Sequence, residues 1–429
     1  MGSGLFEELT WRGLVHQITD ADLPRLLDQG SLTAYNGFDP TSPSLTLGNL
    51  QQVIMLMRLQ RGGHRPIALA GGGTGMIGDP SGRSDERTLL RPDQLASNLA
   101  SMRSQLERFL DFSPAAGERR ALLVDNGEWL ASVGLLDFLR DVGKHFTVNA
   151  MIAKESVRAR LEEREQGISF TEFAYMLLQA YDFLHLFEAY GCRLQLGGSD
   201  QWGNITLGVE LIRRQRGETA YGLTSPLVLK ADGTKFGKSE EGNVWLDAAM
   251  TSPYDLYQFL IRTDDAVVGD YLRRFTFLDQ PAIIALDQVT DDHPERREAQ
   301  RVLAHEVTAL VHGDGEAGKA ARAADTLFVE EVSGLDEPTL LSVFADAPST
   351  DVARSALDGS GLSVVDALVQ SGLESSKAAA RRKLAEGAIY VNNRRVIEPE
   401  AAIQRPDLLH DRYVVLRRGK KDHHLLRFA

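Results

Sequence analysis

The sequence predicts a doubly wound parallel α/β sheet, then an α-helical region, then a small basic α+β module. Three observations carry that expectation. Strand-like and helix-like segments alternate as far as about residue 225, the order that builds a parallel sheet with helices on both faces. Glycine-rich turns, the first two also carrying proline, stand where strands hand over to helices, at residues 37–48, 71–82 and 197–203. From Ser252 the composition turns helical, and the tail gathers positive charge.

The first turn is the most informative. Leu32 to Tyr35 reads as the end of a short strand, and Leu47 to Gln60 carries apolar residues at helical spacing. Between them lies GFDPTSPSLTLGN, punctuated by Gly37, Pro40, Pro43 and Gly48. A helix N-terminus reached through such a loop offers unpaired amides to a phosphate chain, with Gly48 leaving room and Thr46 and Asn49 able to donate. The same letters also describe an ordinary strand-to-helix turn.

Arg65 to Ala70 is a second strand, followed by GGGTGMIGDPSG. Gly73, Gly75 and Gly78 match the spacing of a dinucleotide fingerprint. Pro80 and Gly82 interrupt the helix that fingerprint needs, and the region about 20 residues on is helical where a strand ending in an acid is required. The loop therefore reads as a second ligand-facing turn with Thr74 and Asp79 as its polar groups. Residues 92–111 are expected to be helical, Ala121 to Val124 a strand, and 127–165 mostly helices.

Residues 170–190 form a strongly apolar helix in which Tyr175, Gln179 and Asp182 are spaced i, i+4, i+7 and share one face. A carboxylate there needs a partner or carries a large desolvation cost. Either the three form a satisfied buried cluster or they line a pocket for a small polar molecule. Cys192 to Leu196 is a strand, and GGSDQWGNI opens a further helix, presenting Asp200, Gln201 and Asn204. ADGTKFGKSEEGNVW then sets Lys235 and Lys238 three residues apart between glycines, with Ser239 following. Two cations on a mobile loop can close on a triphosphate, although a lysine-bearing surface turn would look the same.

Composition narrows the class. At 429 residues the chain holds two or three domains, and 43% hydrophobic with 25% charged residues is the balance of a soluble globular protein. No apolar run approaches the roughly 20 residues of a membrane helix. The acidic, amphipathic N-terminus reads as neither signal nor transit peptide. One cysteine, Cys192, excludes an internal disulfide and a cysteine-based zinc cage; it is expected in the core, in a cytoplasmic protein. The net charge of −13 is unevenly spread: residues 361–429 carry 13 Lys and Arg against 8 Asp and Glu, and the remainder 34 against 52. A body of −18 with a tail of +5 suits one module that meets an acidic polymer, or simply a solvated charged face.

Together these motifs resemble the bacterial tyrosyl-tRNA synthetases, which are class I aminoacyl-tRNA synthetases. GFDPT with LGN corresponds to the HIGH region and KFGKS to the KMSKS loop; GDPSG, GKHFTVN, QGISFTEF, the Tyr175–Gln179–Asp182 helix, LGGSDQWGNI and LRRGKK also match, in the same order. The resemblance implies a Rossmann-like catalytic domain over residues 1–225 with a dimer-forming helical insertion. It implies a loop and helical anticodon-arm domain over 226–345, a linker over 346–360 and an RNA-binding module over 361–429. It further implies L-tyrosine, ATP with Mg2+ and tRNA(Tyr) as substrates, with no permanently bound cofactor, and a homodimer.

Residue by residue, the resemblance assigns Tyr35 and Asp182 to the phenolic hydroxyl of tyrosine. Tyr175 and Gln179 would bind its ammonium group, with Asp79 and Gln201 close by. Gly37, Asp39, Gly48, Asn49 and Asp200 would contact ATP, while Thr41, Thr46, Lys235, Lys238 and Ser239 would face the polyphosphate. In the tail, Ser375 is expected to cap a helix carrying Lys377, Arg381, Arg382 and Lys383 before a strand that turns at Asn392–Asn393, and these cations with Arg417 and Arg418 would meet tRNA. One departure stands out: Thr46 and Asn49 occupy the places of the two HIGH histidines, which leaves room for a specialised paralogue. The rival readings are a catalytically weak RNA-binding paralogue and an NAD-dependent oxidoreductase.

Overall fold

The computed structural model describes residues 4–79, 90–154, 157–158, 161, 168–239, 242–326, 332–344, 347–419 and 422–429, with the backbone alone at 238, 239, 325 and 326. Pro80, Gly82, Gln166, Gly167, Lys420, Lys421 and the side chains of Lys238 and Ser239 thus lie outside the described residues. The chain divides into one unit of Met1–Asp247 with Asp264–Pro294 and another of Ala248–Thr263 with Glu295–Ala429. Among the described residues no helix is long and apolar enough to cross a membrane.

The first unit is organised by β1 (Gln17–Ile18), β2 (Thr33–Phe38), β3 (Arg65–Ala70), β4 (Leu122–Asp125), β5 (Cys192–Gly198) and β6 (Tyr221–Ser225), in the spatial order β1-β6-β5-β2-β3-β4. β2 to β6 are parallel, and β1 closes one edge antiparallel to β6. From β2 the chain first builds outward through β3 and β4, then returns to add β5 and β6 on the other side. Strand order therefore reverses between β2 and β5, and in open α/β sheets the ligand crevice lies outside the carboxyl ends of the strands at that point. β2 runs three residues beyond the expected end at Tyr35. It is a central strand, paired with β3 as far as Phe38 opposite Ala70, and that ladder overrides Gly37.

The helix after β2, α1 (Leu47–Arg61), buries Leu47, Leu50, Val53, Ile54, Leu56 and Leu59. At about 1.5–3 kcal/mol per buried aliphatic side chain, this helix is held by its surroundings more than by propensity. α2 (Pro92–Leu106) stops short of the expected residue 111. Between 127 and 152 three short helices, Gly127–Leu130, Leu135–Asp141 and Val148–Ile152, occupy the described part of the stretch expected to be helical.

α3 (Phe170–Tyr190) begins where the Ser169 hydroxyl accepts the Glu172 amide at 3.3 Å and ends at Gly191, whose φ of 64° is the left-handed stop a glycine supplies without strain. Met176, Leu177, Ala180, Phe183 and Leu184 of α3 pack in one core with Tyr35, Ile67 and Leu69. Cys192 is fully buried there, and burial pushes its thiol pKa up, so it is the core residue the sequence suggested. α4 (Trp202–Arg216) follows β5.

After β6 a short hairpin of β7 (Lys238–Ser239) and β8 (Gly242–Asn243) leads to α5 (Pro253–Ile261), α6 (Asp265–Phe275), α7 (Gln280–Asp292), α8 (Glu298–His312) and α9 (Asp314–Thr326). These helices do not form one domain. α6 and α7 belong with the first unit, where Tyr271 and Phe275 hold the Phe236 ring at 4.4 and 5.2 Å, while α5, α8 and α9 belong with the second.

In the second unit the tail sheet has the order β12-β11-β14-β15-β9, built from β9 (Ser349–Val352), β11 (Ile389–Val391), β12 (Arg394–Val396), β14 (Tyr413–Arg418) and β15 (Asp422–Phe428). A separate pair joins β10 (Leu362–Ser363) to β13 (Ala402–Ile403). Alternate residues of β14 serve two cores. Val414 and Leu416 pack with Val365, Leu368 and Leu384, whereas Tyr413 and Val415 pack with Val332, Leu340 and Phe344. The stretch 346–360, expected as a linker, instead supplies β9, which pairs parallel with β15. Asn392 and Asn393, at φ 49° and 62°, make the two-residue turn expected between β11 and β12. The helix cap is Ser376 rather than Ser375, its hydroxyl accepting the Ala379 amide at 3.2 Å.

Candidate active site

A cleft of about 400 Å³ opens at the carboxyl ends of β2 and β5. Its lining includes Tyr35, Gly37, Asp39, Thr41, Thr46, Gly48, Asn49, Asp79, Tyr175, Gln179, Asp182, Asp200 and Gln201, so residues scattered over 167 positions of sequence meet there. Lys235 is exposed on the loop that follows and does not line the cleft; its charge is nonetheless close enough to Asp200 to favour the ionised carboxylate, against the burial that raises that group's pKa.

At the deep end Asp182 is 1% exposed. Its two oxygens accept from the Trp129 indole at 2.7 Å and the Asn126 amide at 2.8 Å. Desolvation nonetheless dominates and pushes its pKa up to about 7, against the lowering effect of those two bonds. The Tyr35 ring lies 5.3 Å from that of Phe183, and its hydroxyl is buried without a hydrogen-bond partner. Burial, reinforced by the nearby Asp182 charge, keeps that phenol protonated well above its ordinary range. An unpartnered buried hydroxyl costs about 1–3 kcal/mol, and it marks a place where a polar ligand atom belongs.

Along the wall, the Tyr175 hydroxyl donates to Asp39 at 2.8 Å, and the Thr74 hydroxyl donates to the other Asp39 oxygen at 2.7 Å. Asn126 donates to Thr74 at 2.9 Å as well as to Asp182, and its carbonyl accepts from the Gly73 amide at 2.8 Å. Gln179 and Gln201 are joined at 3.2 Å, Asn204 donates to both, and Gln201 donates to Asp79. Gly73 and Gly75 open no helix; the chain turns there through a 3₁₀ segment, Thr74–Met76, unlike a dinucleotide fingerprint.

Asn126 and Trp129 were not among the residues expected at the site. Both follow the carboxyl end of β4, the same position relative to the sheet that marked the other loops, and that rule would have found them.

At the mouth, the Thr46 amide and hydroxyl both donate to the Asn49 side-chain oxygen, at 2.9 and 2.8 Å. The loop bearing Lys235 docks on the same helix start. Leu47 donates its amide to Val244 at 2.8 Å, Leu246 to Leu45 at 2.9 Å, and Val244 to Gly237 at 2.9 Å. A Cβ at Gly237 would stand 3.0 Å from the Gly48 nitrogen. The two signature stretches of the sequence are thus stitched backbone to backbone.

Within the second unit the tail cations divide. Arg381 and Arg382 are exposed. Lys377 pairs with Asp366 at 2.7 Å and Lys383 with Glu386 at 2.6 Å. Arg417 lies 3.7 Å over the Tyr390 ring and donates to Asn393, and Arg418 pairs with Asp422 at 2.7 Å and with Glu374 at 3.4 Å.

Comparison with known proteins agrees with this layout. A family model described as tRNA synthetases class I (W and Y) matches residues 27–329, and one described as the tyrosine--tRNA ligase SYY-like C-terminal domain matches 340–426. The tyrosine--tRNA ligase of Roseiflexus castenholzii is 52% identical over 425 residues, 99% of both chains. That of Geobacillus stearothermophilus is 50% identical over 427 residues, 99% of this chain and all of the relative. The solved structure of a C-terminally truncated mitochondrial tyrosyl-tRNA synthetase from Aspergillus nidulans superposes with a TM-score of 0.67 at 33% identity, covering 76% of this chain and 95% of that one. The chain belongs to the tyrosine–tRNA ligase family of class I tRNA synthetases.

Proposed function

We propose that this chain activates L-tyrosine with ATP and transfers the tyrosyl group to the terminal adenosine of tRNA(Tyr). The carrying observation is the buried pair at the deep end: a Tyr35 hydroxyl without a partner, and a desolvated Asp182 whose charge reaches that phenol, both lining the cleft. A phenol entering there would donate to the carboxylate and accept from Tyr35. Phenylalanine would leave the Tyr35 hydroxyl buried without a partner and would give the desolvated Asp182 no bond beyond those from Trp129 and Asn126, and a pocket of that kind discriminates strongly.

The amino acid's ammonium group would sit near Tyr175, Gln179, Asp79 and Gln201, which form a hydrogen-bonded and partly anionic wall. Gly37, Asp39, Gly48, Asn49 and Asp200 would face the nucleotide, with Mg2+ arriving on its phosphates as part of the substrate. Thr41, Lys235, Lys238 and Ser239 would meet the polyphosphate. The tyrosine carboxylate attacks the α-phosphorus, the bond to the bridging oxygen breaks, and pyrophosphate leaves. A ribose hydroxyl of tRNA then displaces AMP from the adenylate. Positioning and charge stabilisation suffice for both steps, with no protein nucleophile.

Arg381 and Arg382, exposed on their helix, suit phosphate contacts with tRNA, as do Lys377, Lys383, Arg417 and Arg418 if their present partners exchange for phosphates. Leu135 and Leu136, exposed at 70% and 80% on one helix, and Val148, exposed at 58% on another, are apolar side chains that a second copy of the chain would cover, giving a homodimer. A cytoplasmic location is part of the same reading.

Tyrosine-dependent exchange of pyrophosphate into ATP is the decisive assay. Exchange is expected, with phenylalanine a poor substitute, and Tyr35→Phe should narrow the preference for tyrosine by about 1 kcal/mol, the value of one hydrogen bond. Retention of tRNA binding without any exchange would favour the RNA-binding paralogue.

A further inference from the structure

The bonds at the start of α1 show that Thr46 and Asn49 are not two independent donors. A backbone N–H can only donate, so the Asn49 atom that faces the Thr46 amide at 2.9 Å is its oxygen, which fixes the orientation of the carboxamide. The Thr46 hydroxyl also donates to that oxygen, at 2.8 Å, and so has no proton left for a ligand. The Asn49 NH2 then lies on the opposite side of the carboxamide, and Asn49 lines the cleft.

We propose that Thr46 is a positioning residue. Its amide and hydroxyl lock Asn49 so that the Asn49 NH2 donates to an acceptor oxygen of the bound nucleotide. This rests on the proposed activation of tyrosine by ATP, and it replaces the expectation that Thr46 itself reaches the polyphosphate. Thr46 and Asn49 act as one unit, in which the threonine orients and the asparagine binds. Threonine suits the role because its backbone conformation before the helix is extended, at φ −100° and ψ 164°, which brings N–H and hydroxyl to the same side-chain oxygen.

A double-mutant cycle tests this. Thr46→Val removes the hydroxyl and leaves the backbone bond; Asn49→Ala removes the donor. In tyrosine-dependent exchange, Thr46→Val should lower kcat/KM for ATP about five- to tenfold, and Asn49→Ala at least as much. The double variant should be no worse than Asn49→Ala. Thr46→Ser should recover most of the loss, while tyrosine affinity stays put in all four proteins. Because Thr46 and Asn49 also form the capping box of α1, a modest fall in Tm is expected for Thr46→Val, Asn49→Ala and the double variant, and Thr46→Ser should restore it for the single site. Equilibrium ATP binding gives the same cycle without turnover.

Losses that multiply in the double variant would show Thr46 reaching the nucleotide directly and would overturn the inference. So would a Thr46→Val enzyme with unaltered ATP parameters. A wild-type protein that binds ATP with the expected coupling but gives no exchange would sink the proposed activity and leave the positioning role standing.

Discussion

At the deep end of the cleft Asp182 is surrounded by side chains, taking bonds from Trp129 and Asn126 in a pocket where burial raises its pKa to about 7. At the mouth the contacts run between backbones: the loop bearing Lys235 lies across Leu45–Gly48 through main-chain bonds, with Gly237 against Gly48. The difference separates two tasks. Selecting one amino acid needs polar groups whose pairing fails for the wrong ligand, and desolvation makes that failure costly. The proposed task of the mouth, holding a nucleotide that every amino acid shares, needs donors at fixed positions, which the helix start and the loop docked on it supply together with the oriented Asn49 side chain.

If that division holds, the largest effect comes from breaking the deep end. Asp182→Ala should reduce tyrosine activation by about 10³ or more, and equilibrium binding should show that tyrosine affinity is lost while ATP affinity is not. An enzyme that keeps tyrosine and loses ATP would reverse the assignment. At the mouth, Gly237→Ala puts a Cβ at 3.0 Å from the Gly48 nitrogen on a residue whose φ is +84°. The loop should lift from the helix start, slowing adenylate formation about tenfold with tyrosine affinity unchanged. Pre-steady-state measurement of adenylate formation against tyrosine titration separates the two variants.

The smallest expected effect lies away from the cleft, as a control on both. His64 is fully buried; its Nδ1 accepts the Leu32 amide at 3.0 Å, so Nε2 bears the proton and faces the Leu27 carbonyl at 3.0 Å. Burial lowers its pKa, leaving it neutral in the fold. The unfolded chain then binds the extra proton first, so its contribution to stability is present above about pH 6.5 and is lost as pH falls below it, with a limiting slope of about 1.4 kcal/mol per pH unit. Unfolding of wild type and His64→Asn between pH 7.5 and 5 should show the slope in the first and its reduction in the second, with equal slopes counting against it.

Much of this was legible in the sequence where chemistry and period agreed. The i, i+4, i+7 face of Tyr175, Gln179 and Asp182 does line the cleft, and the strands that bound it start close to where alternation placed them but run further, β2 to Phe38 rather than Tyr35 and β5 to Gly198 rather than Leu196. Trp129 and Asn126 were passed over because no periodic pattern points a residue just beyond a strand end at a carboxylate 53 or 56 positions away, and only their place after the carboxyl end of β4 could have singled them out. β9 was missed for a related reason. Ser349–Val352 alternates only weakly, and its pairing with β15 is a contact between the two ends of the module that no local window contains. The independence of Thr46 and Asn49 was an inference from letters, and hydrogen direction undoes it.

The loop after β3 carries a lesson for anyone who would redesign the pocket. A Cβ on Gly71 would fall 2.1 Å from an Asp39 oxygen, and one on Gly72 would fall 2.2 Å from an Asp125 oxygen. Those two carboxylates cannot retreat freely, since Asp39 holds Tyr175 and Thr74 while Asp125 accepts from the Gly72 and Gly127 amides. Natural drift and combinatorial libraries should both find these two glycines closed to substitution. Redesign of the pocket should therefore start on α3 and at the end of β4, where side chains rather than missing ones line it.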